Sequence, residues 1–556
     1  MSELNIDELL RKINELEAEL KTAKKYGLVW DREHTQEEVV EQCQTLIPVL
    51  KPISEKNISN GGQNNIIIEG DNFHSLSALN FVLKNQIDII YIDPPYNTGN
   101  EDFVYNDKFV NSDDGYKHSK WLSFMSRRLK LARDLLKDSG CIFLSIDDNE
   151  QANLKLLCDS IFGESNFIAC ICRQAIKGGS RSVNIKTVHD YVLIYAKSFN
   201  NLTTFTGHEK EAMVLNLEDE KGPYARGREL NKWGAGSRRE DSPTMWFPIK
   251  GPNGEDVYPI RNDGSEGRWR WGKTKLLKAV EDGEVIFEPR GDGTYIVYEK
   301  VRGNKNTTDQ FNTWFADNYI NAKGSEAVKK VFGTMMSVFD YAKPVELISE
   351  LLFMANNKDA LVLDFFAGSG TTGQAVLELN KADGGKRRFI LCTNNENRIC
   401  EDITYPRIKT VITGKRKDGS VYSEGTPASL YYFKTDFVRD ESNVEQAKYS
   451  LVERVDSLIC ILENIFIEVE MNDYSSHYTD GRKHLFIYNE YFNEKKFSEF
   501  KNRVKKTSGN KIVYVFSSDN EIDPELINED NVILKPIPSK IYEIYKEISE
   551  SIKRGE

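Results

Sequence analysis

The sequence predicts an α/β chain organised around a parallel sheet and split by an insert of different character. Three observations lead there. Apolar runs at 66–68, 87–92 and 141–146 have the composition of buried strands, and the amphipathic segment 119–137 separates the last two. The stretch Gly368-Ser369-Gly370 links a fourth apolar run, 360–365, to a helical pattern over 371–379. Between these halves, residues 207–305 are rich in Gly, Pro, Trp and Arg, with short strand-like pieces such as 284–287 and 294–298.

Along the chain, Ile6, Leu9, Ile13, Leu16 and Leu20 alternate spacings of three and four among Glu and Lys. Residues 1–32 therefore read as an amphipathic helix with coiled-coil character, or as a helix packed on its own chain. The α/β pattern occupies 33–206, with a further strand at 190–197. An inserted domain follows over 207–325. The pattern resumes over 326–435, with a helix at 345–354, the strand and helix around the glycine turn, and a strand at 388–392. Residues 436–556 read as a small C-terminal α/β domain: a long helix over about 443–467, strands at 484–488, 511–516 and 532–534, and a final helix from Ser539.

Composition narrows the function classes. A chain of 556 residues with 29% charged and 39% hydrophobic residues is globular, with room for three to four domains at ~150 residues each. No run approaches the ~18 apolar residues of a spanning helix and the first residues have no signal-peptide pattern, so no membrane partner and a cytoplasmic location are expected. Eight dispersed cysteines without a CxxC pair point to neither disulfides nor zinc, and no metal is expected. A net charge of −12 excludes a uniformly basic coat. Between Lys221 and Gln310, however, basic residues outnumber acidic ones 17 to 14, and four of the seven tryptophans lie there. Arg238, Arg239, Arg268, Trp269 and Arg270 have the interleaving that suits phosphate contact and base stacking; a small β domain with a tryptophan core is the alternative. From Asp436 onward acidic residues prevail, 24 to 17, which suits protein contacts better than DNA.

The most informative tetrapeptide is Asp93-Pro94-Pro95-Tyr96, directly after the run 87–92. At the carboxyl end of a parallel strand it faces the crevice where α/β proteins bind ligands. Two prolines fix the backbone and present carbonyls without N–H groups of their own. A carboxylate, a rigid carbonyl and an aromatic ring can hold the two N–H groups of an exocyclic amine, free its lone pair for attack on a methyl group, and stack on the base. In duplex DNA such an amine is reached only by flipping the base, which costs a few kcal/mol. An ordinary Pro-Pro turn is the alternative. The glycine turn, Asp364-Phe365-Phe366-Ala367-Gly368-Ser369-Gly370-Thr371-Thr372, implies a nucleotide cofactor at a helix N-terminus, whether NAD, FAD or S-adenosylmethionine; it lacks the GxxxxGK[ST] of an ATP site.

In their order, DPPY, then insert, then FxGxG, these residues resemble the β-class amino-methyltransferases of DNA, and most closely the Mod subunits of type III restriction-modification systems, over about residues 26–435. Further matching stretches are Glu69-Gly70-Asp71-Asn72, Asn97-Thr98-Gly99-Asn100, His118-Ser119-Lys120-Trp121-Leu122, Phe339-Asp340-Tyr341-Ala342-Lys343-Pro344 and Thr393-Asn394-Asn395-Glu396-Asn397. The resemblance implies a permuted Rossmann-like methyltransferase fold on a seven-stranded sheet, with S-adenosylmethionine as cofactor. It implies catalysis by Asp93, Pro94, Pro95 and Tyr96, and cofactor binding by Asp71, Asp340, Lys343, Asp364, Phe366, Gly368, Gly370, Thr371 and Glu396. It makes the insert a target-recognition domain, and double-stranded DNA, methylated at adenine N6, the substrate. The helix 1–32 and the acidic C-terminal domain are candidate contacts for a homodimer or for a restriction (helicase-nuclease) subunit. A solitary methyltransferase, cytosine N4 as acceptor, RNA or protein amine methylation, and a non-catalytic specificity module remain as alternatives.

Overall fold

The computed structural model describes residues 28–31, 35–99, 103–106, 108–178, 184–208, 214–303, 308, 310–336, 338–339, 341–439, 451, 454–490, 493–516, 522–529, 531–537 and 540–553. The expected helix 1–32 and Asp340 thus lie outside the described residues, apart from 28–31.

Ten strands form the main sheet: β1 (Leu46–Pro52), β2 (Gln63–Glu69), β3 (Ile87–Ile92), β4 (Leu136–Ile146), β5 (Phe167–Gln174), β6 (His189–Ala196), β7 (Trp314–Phe315), β8 (Leu361–Asp364), β9 (Arg388–Thr393) and β10 (Ala428–Arg439). Their spatial order is β1-β10-β2-β9-β8-β3-β4-β6-β5-β7. The five strands β2, β9, β8, β3 and β4 run parallel to one another. β6 is antiparallel to both β4 and β5. The run from β2 to β5 is the seven-stranded sheet the resemblance implies, here extended by β10 and β1 on one side and β7 on the other.

β8 and the last five residues of β9 are buried, as strands covered on both faces should be. The additional edge strand β1 carries Pro48 and Pro52, which hide it from a sequence reading; prolines, lacking an N–H to donate, are tolerated at a sheet edge. Six of the eight cysteines are buried, and all are free thiols.

Residues Thr206–Phe311 form a separate compact unit. The expected boundary at 325 is therefore corrected. Trp314–Phe315 pairs with β5, and the buried Arg173 guanidinium binds Asp190, the Tyr319 carbonyl at 2.6 Å and Asn321 Oδ1 at 2.9 Å, which ties residues 312–321 to the main sheet. Inside the unit, strands Val285–Pro289, Tyr295–Val301, Gly222–Glu229 and Leu217–Asp219 make an antiparallel sheet in that order. Its core joins Leu230, Phe247, Ile249, Val257, Trp269, Leu276, Val285 and Val297.

The C-terminal region carries a five-stranded mixed sheet, Ile467–Met471, Ser475–Thr479, Lys483–Tyr488, Asn510–Phe516 and Val532–Ile537, followed by the helix Lys540–Lys553. The long helix expected to reach 467 ends at Glu463; Asn464 is left-handed (φ 57°) and Ile467 opens a strand. Leu451, Val455, Leu458 and Ile459 join the same hydrophobic core as Ile66, Leu79 and Ile90, so this region shares the core of the main sheet. Among the described residues no helix is long and apolar enough to cross a membrane.

Trp269 is fully buried and its indole N–H donates to the Phe247 carbonyl at 2.8 Å. Trp269→Ala should destabilise the insert by about 3–5 kcal/mol, the usual range for emptying a buried aromatic site. Trp233, 64% exposed, should tolerate the same change with less than about 0.5 kcal/mol. Chemical denaturation followed by tryptophan fluorescence separates the two; equal effects would remove Trp269 from the core.

Candidate active site

Register places the site. β8 pairs with β3 through Val362 opposite Ile89 and Leu363 opposite Ile90, so Asp93 and Asp364 emerge at neighbouring strand ends. β9 and β2 continue the same parallel array, which brings Glu396 and Asp71 to the same end of the sheet. All four residues line one cavity of about 700 Å³, with Pro94, Pro95, Lys343, Phe366, Gly368 and Thr371.

The DPPY segment is held from behind. The Trp121 indole donates to the Pro95 carbonyl at 2.7 Å, while Pro94 is buried against the cavity. Asn97, in a left-handed conformation (φ 58°), donates to Glu150 Oε1 at 2.5 Å and to the Lys117 carbonyl at 3.2 Å. Glu150 is fully buried, and His118 Nδ1 lies 2.6 Å from the same oxygen. Two of the stretches singled out in the sequence thus meet on one carboxylate that the sequence reading passed over. Burial pushes the Tyr96 hydroxyl well above its ordinary range, with Asp93 adding to the effect, so it stays protonated.

The glycine loop is folded by its own amides and by a distant arginine. Gly370 donates to Ala367 at 2.7 Å and Ala367 donates to the Cys392 carbonyl of β9 at 3.1 Å. Gly368 (φ 48°) and Gly370 (φ 81°) both require left-handed backbone. The Asp364 carboxylate accepts the Phe366 amide at 3.0 Å and the Thr372 hydroxyl at 2.5 Å. Behind the loop, the fully buried Arg407 donates to Ser369 Oγ at 2.8 Å, Thr371 Oγ1 at 2.9 Å and Gln374 Oε1 at 2.8 Å. Burial lowers this guanidinium to about 10, still charged at neutral pH. Its helix, Tyr405–Thr413, buries Arg407 with Ile408, Val411 and Ile412. A charged residue on an apolar helix face was the signal available in the sequence.

Arg128 carries the same signal, on the buried stripe of Trp121, Met125 and Ala132. It binds Glu37 with both terminal nitrogens, contacts Asn72, and sits 3.5 Å from Asp71. Asp71 caps the helix Asn72–Leu83 by accepting the Phe73 amide at 2.7 Å. Glu396 opens a short turn after β9, exposed at the cavity rim. Lys343 departs from the other cofactor candidates: its Nζ lies 2.8 Å from Asp93 Oδ1 and 2.9 Å from Oδ2.

In the insert, bridges between Asn231 and Trp269 and between Arg238 and Gly267 set the two arginine stretches side by side. Arg238 and Arg239 are exposed. Arg239 pairs with Glu266 at 2.8 Å and lies over Trp246, which stacks on Tyr258. Arg268 donates to the Gly236 carbonyl at 2.6 Å, and Arg270 donates to the Glu229 carbonyl at 2.8 Å and lies over Trp233. Trp269 belongs to the core and cannot stack on a base, which corrects the sequence expectation; the exposed ring in this group is Trp233.

A cationic sulfonium nucleoside suits this cavity. Asp71 and Glu396 line it as carboxylates, and a Cβ built on Gly368 would meet no atom nearer than 3.8 Å, so the loop leaves open space where a side chain would stand. Fold and site together define an S-adenosylmethionine-dependent methyltransferase. Residues 87–404 match the N6/N4 methyltransferase family described as DNA methylase, and the chain belongs to that family. It is 30% identical to the type III restriction-modification enzyme EcoPI Mod subunit of Escherichia phage P1 over 77% of each chain. It is 36% identical to the StyLTI Mod subunit of Salmonella typhimurium over 62% of this chain and 55% of that one. It is also 37% identical to the type II methyltransferase M.KpnI of Klebsiella pneumoniae, over 59% and 79%. The solved PvuII DNA methyltransferase, cytosine-N4-specific, matches 63% of this chain and 92% of its own at 12% identity and a TM-score of 0.32.

Two outcomes are expected. Gly368→Val puts a branched side chain on a left-handed position facing the cavity, and calorimetry should find S-adenosylmethionine affinity reduced at least about a hundredfold; undiminished affinity would remove the loop from the site. Burial pushes the Asp364 carboxyl up to about 7, against the lowering hydrogen bonds of Thr372 and Phe366. An unfolded Asp titrates near ~4, so the native state holds this proton more tightly between those values, and raising the pH through that window removes stability. A cationic ligand favours the ionised form, so cofactor affinity should rise by up to about tenfold per pH unit below 7 and level off above. Asp364→Asn should flatten that profile; an unchanged slope would take Asp364 out of cofactor contact.

Proposed function

We propose that this protein is the modification subunit of a type III restriction-modification system, an enzyme that flips adenine out of duplex DNA and methylates its N6. The observation that carries the reading is the juxtaposition of Asp93, Pro94 and Pro95 with the glycine loop on one cavity, in a chain related to EcoPI Mod over 77% of its length.

The cofactor, when bound, supplies an electrophilic methyl group on sulfur. The rest is done by the chain. The Asp93 carboxylate and the Pro94 carbonyl each accept one N–H of the amine, which draws the nitrogen lone pair out of the ring and aims it at the methyl carbon. Once methylated, N6 would carry a surplus proton, and Asp93 would accept it. The Tyr96 ring stacks on the base. Gly368, Gly370 and Phe366 shape the cofactor cradle, with Asp364 and Thr371 at its base. Glu396 accepts ribose hydroxyls and Asp71 lies near the cofactor adenine. Arg238, Arg239, Arg268 and Arg270, with Trp233 in place of Trp269, are the DNA contacts of the insert. A second copy of the chain and a restriction (helicase-nuclease) subunit are the protein partners. A substrate of DNA and a cytosolic cofactor put its work in the cytoplasm. The relation to M.KpnI favours a second reading, a methyltransferase acting without a restriction subunit.

Labelled methyl should pass from S-adenosylmethionine to adenine on one strand of a short asymmetric motif, read by single-molecule sequencing. Asp93→Ala should lower the rate at least about a hundredfold while cofactor affinity is kept. Residual turnover with lost cofactor affinity would contradict the role given to Asp93, and methylated cytosine would replace adenine as the acceptor.

A further inference from the structure

The Lys343 ammonium stands where the target amine has to stand. Its Nζ lies 2.8 and 2.9 Å from the two Asp93 oxygens and 4.8 Å from the centroid of the Tyr96 ring. These are the groups that the proposed mechanism assigns to the exocyclic nitrogen and to the base plane. The ammonium bridges both Asp93 oxygens, so an aromatic amine that donates to Asp93 from the same side has to displace it. The lysine is held there by the fold. Its side chain is only 9% exposed, and Gly324, in the helix Asn321–Phe332, approaches so closely that a Cβ would fall 2.0 Å from the Ala342 carbonyl oxygen. Directly after it, Pro344 caps the helix Val345–Met354.

We propose that Lys343 is a positioning residue that occupies the amine subsite of the free enzyme and gives it up when the target base enters. The inference rests on the amine reading of Asp93. An unpaired, partly buried carboxylate is costly, and the lysine supplies its counter-charge until a base replaces it. Replacement is selective, because thymine presents a carbonyl where Asp93 requires a donor.

The experiment uses the full-length protein and a duplex with the target motif mapped from wild-type methylation. A 2-aminopurine placed beside the target adenine brightens when that adenine leaves the stack. Without cofactor, and with DNA binding followed in parallel by anisotropy, Lys343→Met should shift the balance of flipped to stacked adenine about fivefold toward flipped, equivalent to about 1 kcal/mol at ~1.4 kcal/mol per tenfold. Lys343→Gln should shift it in the same direction, Lys343→Arg should resemble the wild type, and thymine at the target position should stay stacked in all of them. Equal brightening by Lys343→Met, Lys343→Gln and the wild type, at equal DNA occupancy, would overturn the proposal. A wild type that methylates no adenine would instead overturn the function proposed above.

Discussion

The parallel pairing of β3 with β8 holds the site together. Two strands from opposite halves of the sequence lie side by side, and their register, Ile89 opposite Val362 and Ile90 opposite Leu363, puts Asp93 and Asp364 at one edge. In a parallel sheet every strand end of one polarity opens on the same side, so the turn after β9 and the helix cap after β2 arrive there as well. A chain can therefore carry the Asp93-Pro94-Pro95-Tyr96 segment and the glycine turn in either order, provided that these central strands pair in this way. The insert is carried on the connection between the two halves.

Buried polar supports hold the loops at the strand ends in place. Arg407 stiffens the glycine turn through three side-chain oxygens, Arg128 joins Glu37 to the cap at Asp71 and Asn72, and Glu150 collects Asn97 and His118 beneath the DPPY segment. Each removes conformational freedom from a loop that would otherwise have to be ordered by its ligand. Their charge is the reason they stay in place: a buried guanidinium or carboxylate left without its partners is strongly unfavourable, so these contacts are kept together with the fold.

Charge is distributed unevenly between the regions. The cavity collects carboxylates, which suits a cationic cofactor, whereas the insert carries its arginines beside exposed or half-buried aromatic rings. In a chain of net charge −12, the insert is a local exception to the overall sign.

The central strands, the glycine turn and the DPPY segment were legible in the sequence because their signals are local: apolar runs of strand length, left-handed glycines and a Pro-Pro turn are consequences of backbone chemistry within a few residues. Edge strands were not. Prolines in β1 and the two-residue length of β7 leave no periodic pattern, and only the neighbouring strand makes them strands. Trp269 and Trp233 show the same limit, since two tryptophans in similar basic surroundings differ only in which one the fold covers. Order along the chain was enough to set the sheet class and to supply the residue types that the chemistry needs. Which distant groups meet, Lys343 on Asp93 and Arg407 behind the glycine loop among them, was settled by folding, because ion pairing and burial depend on distance in space, which spacing along the chain does not carry.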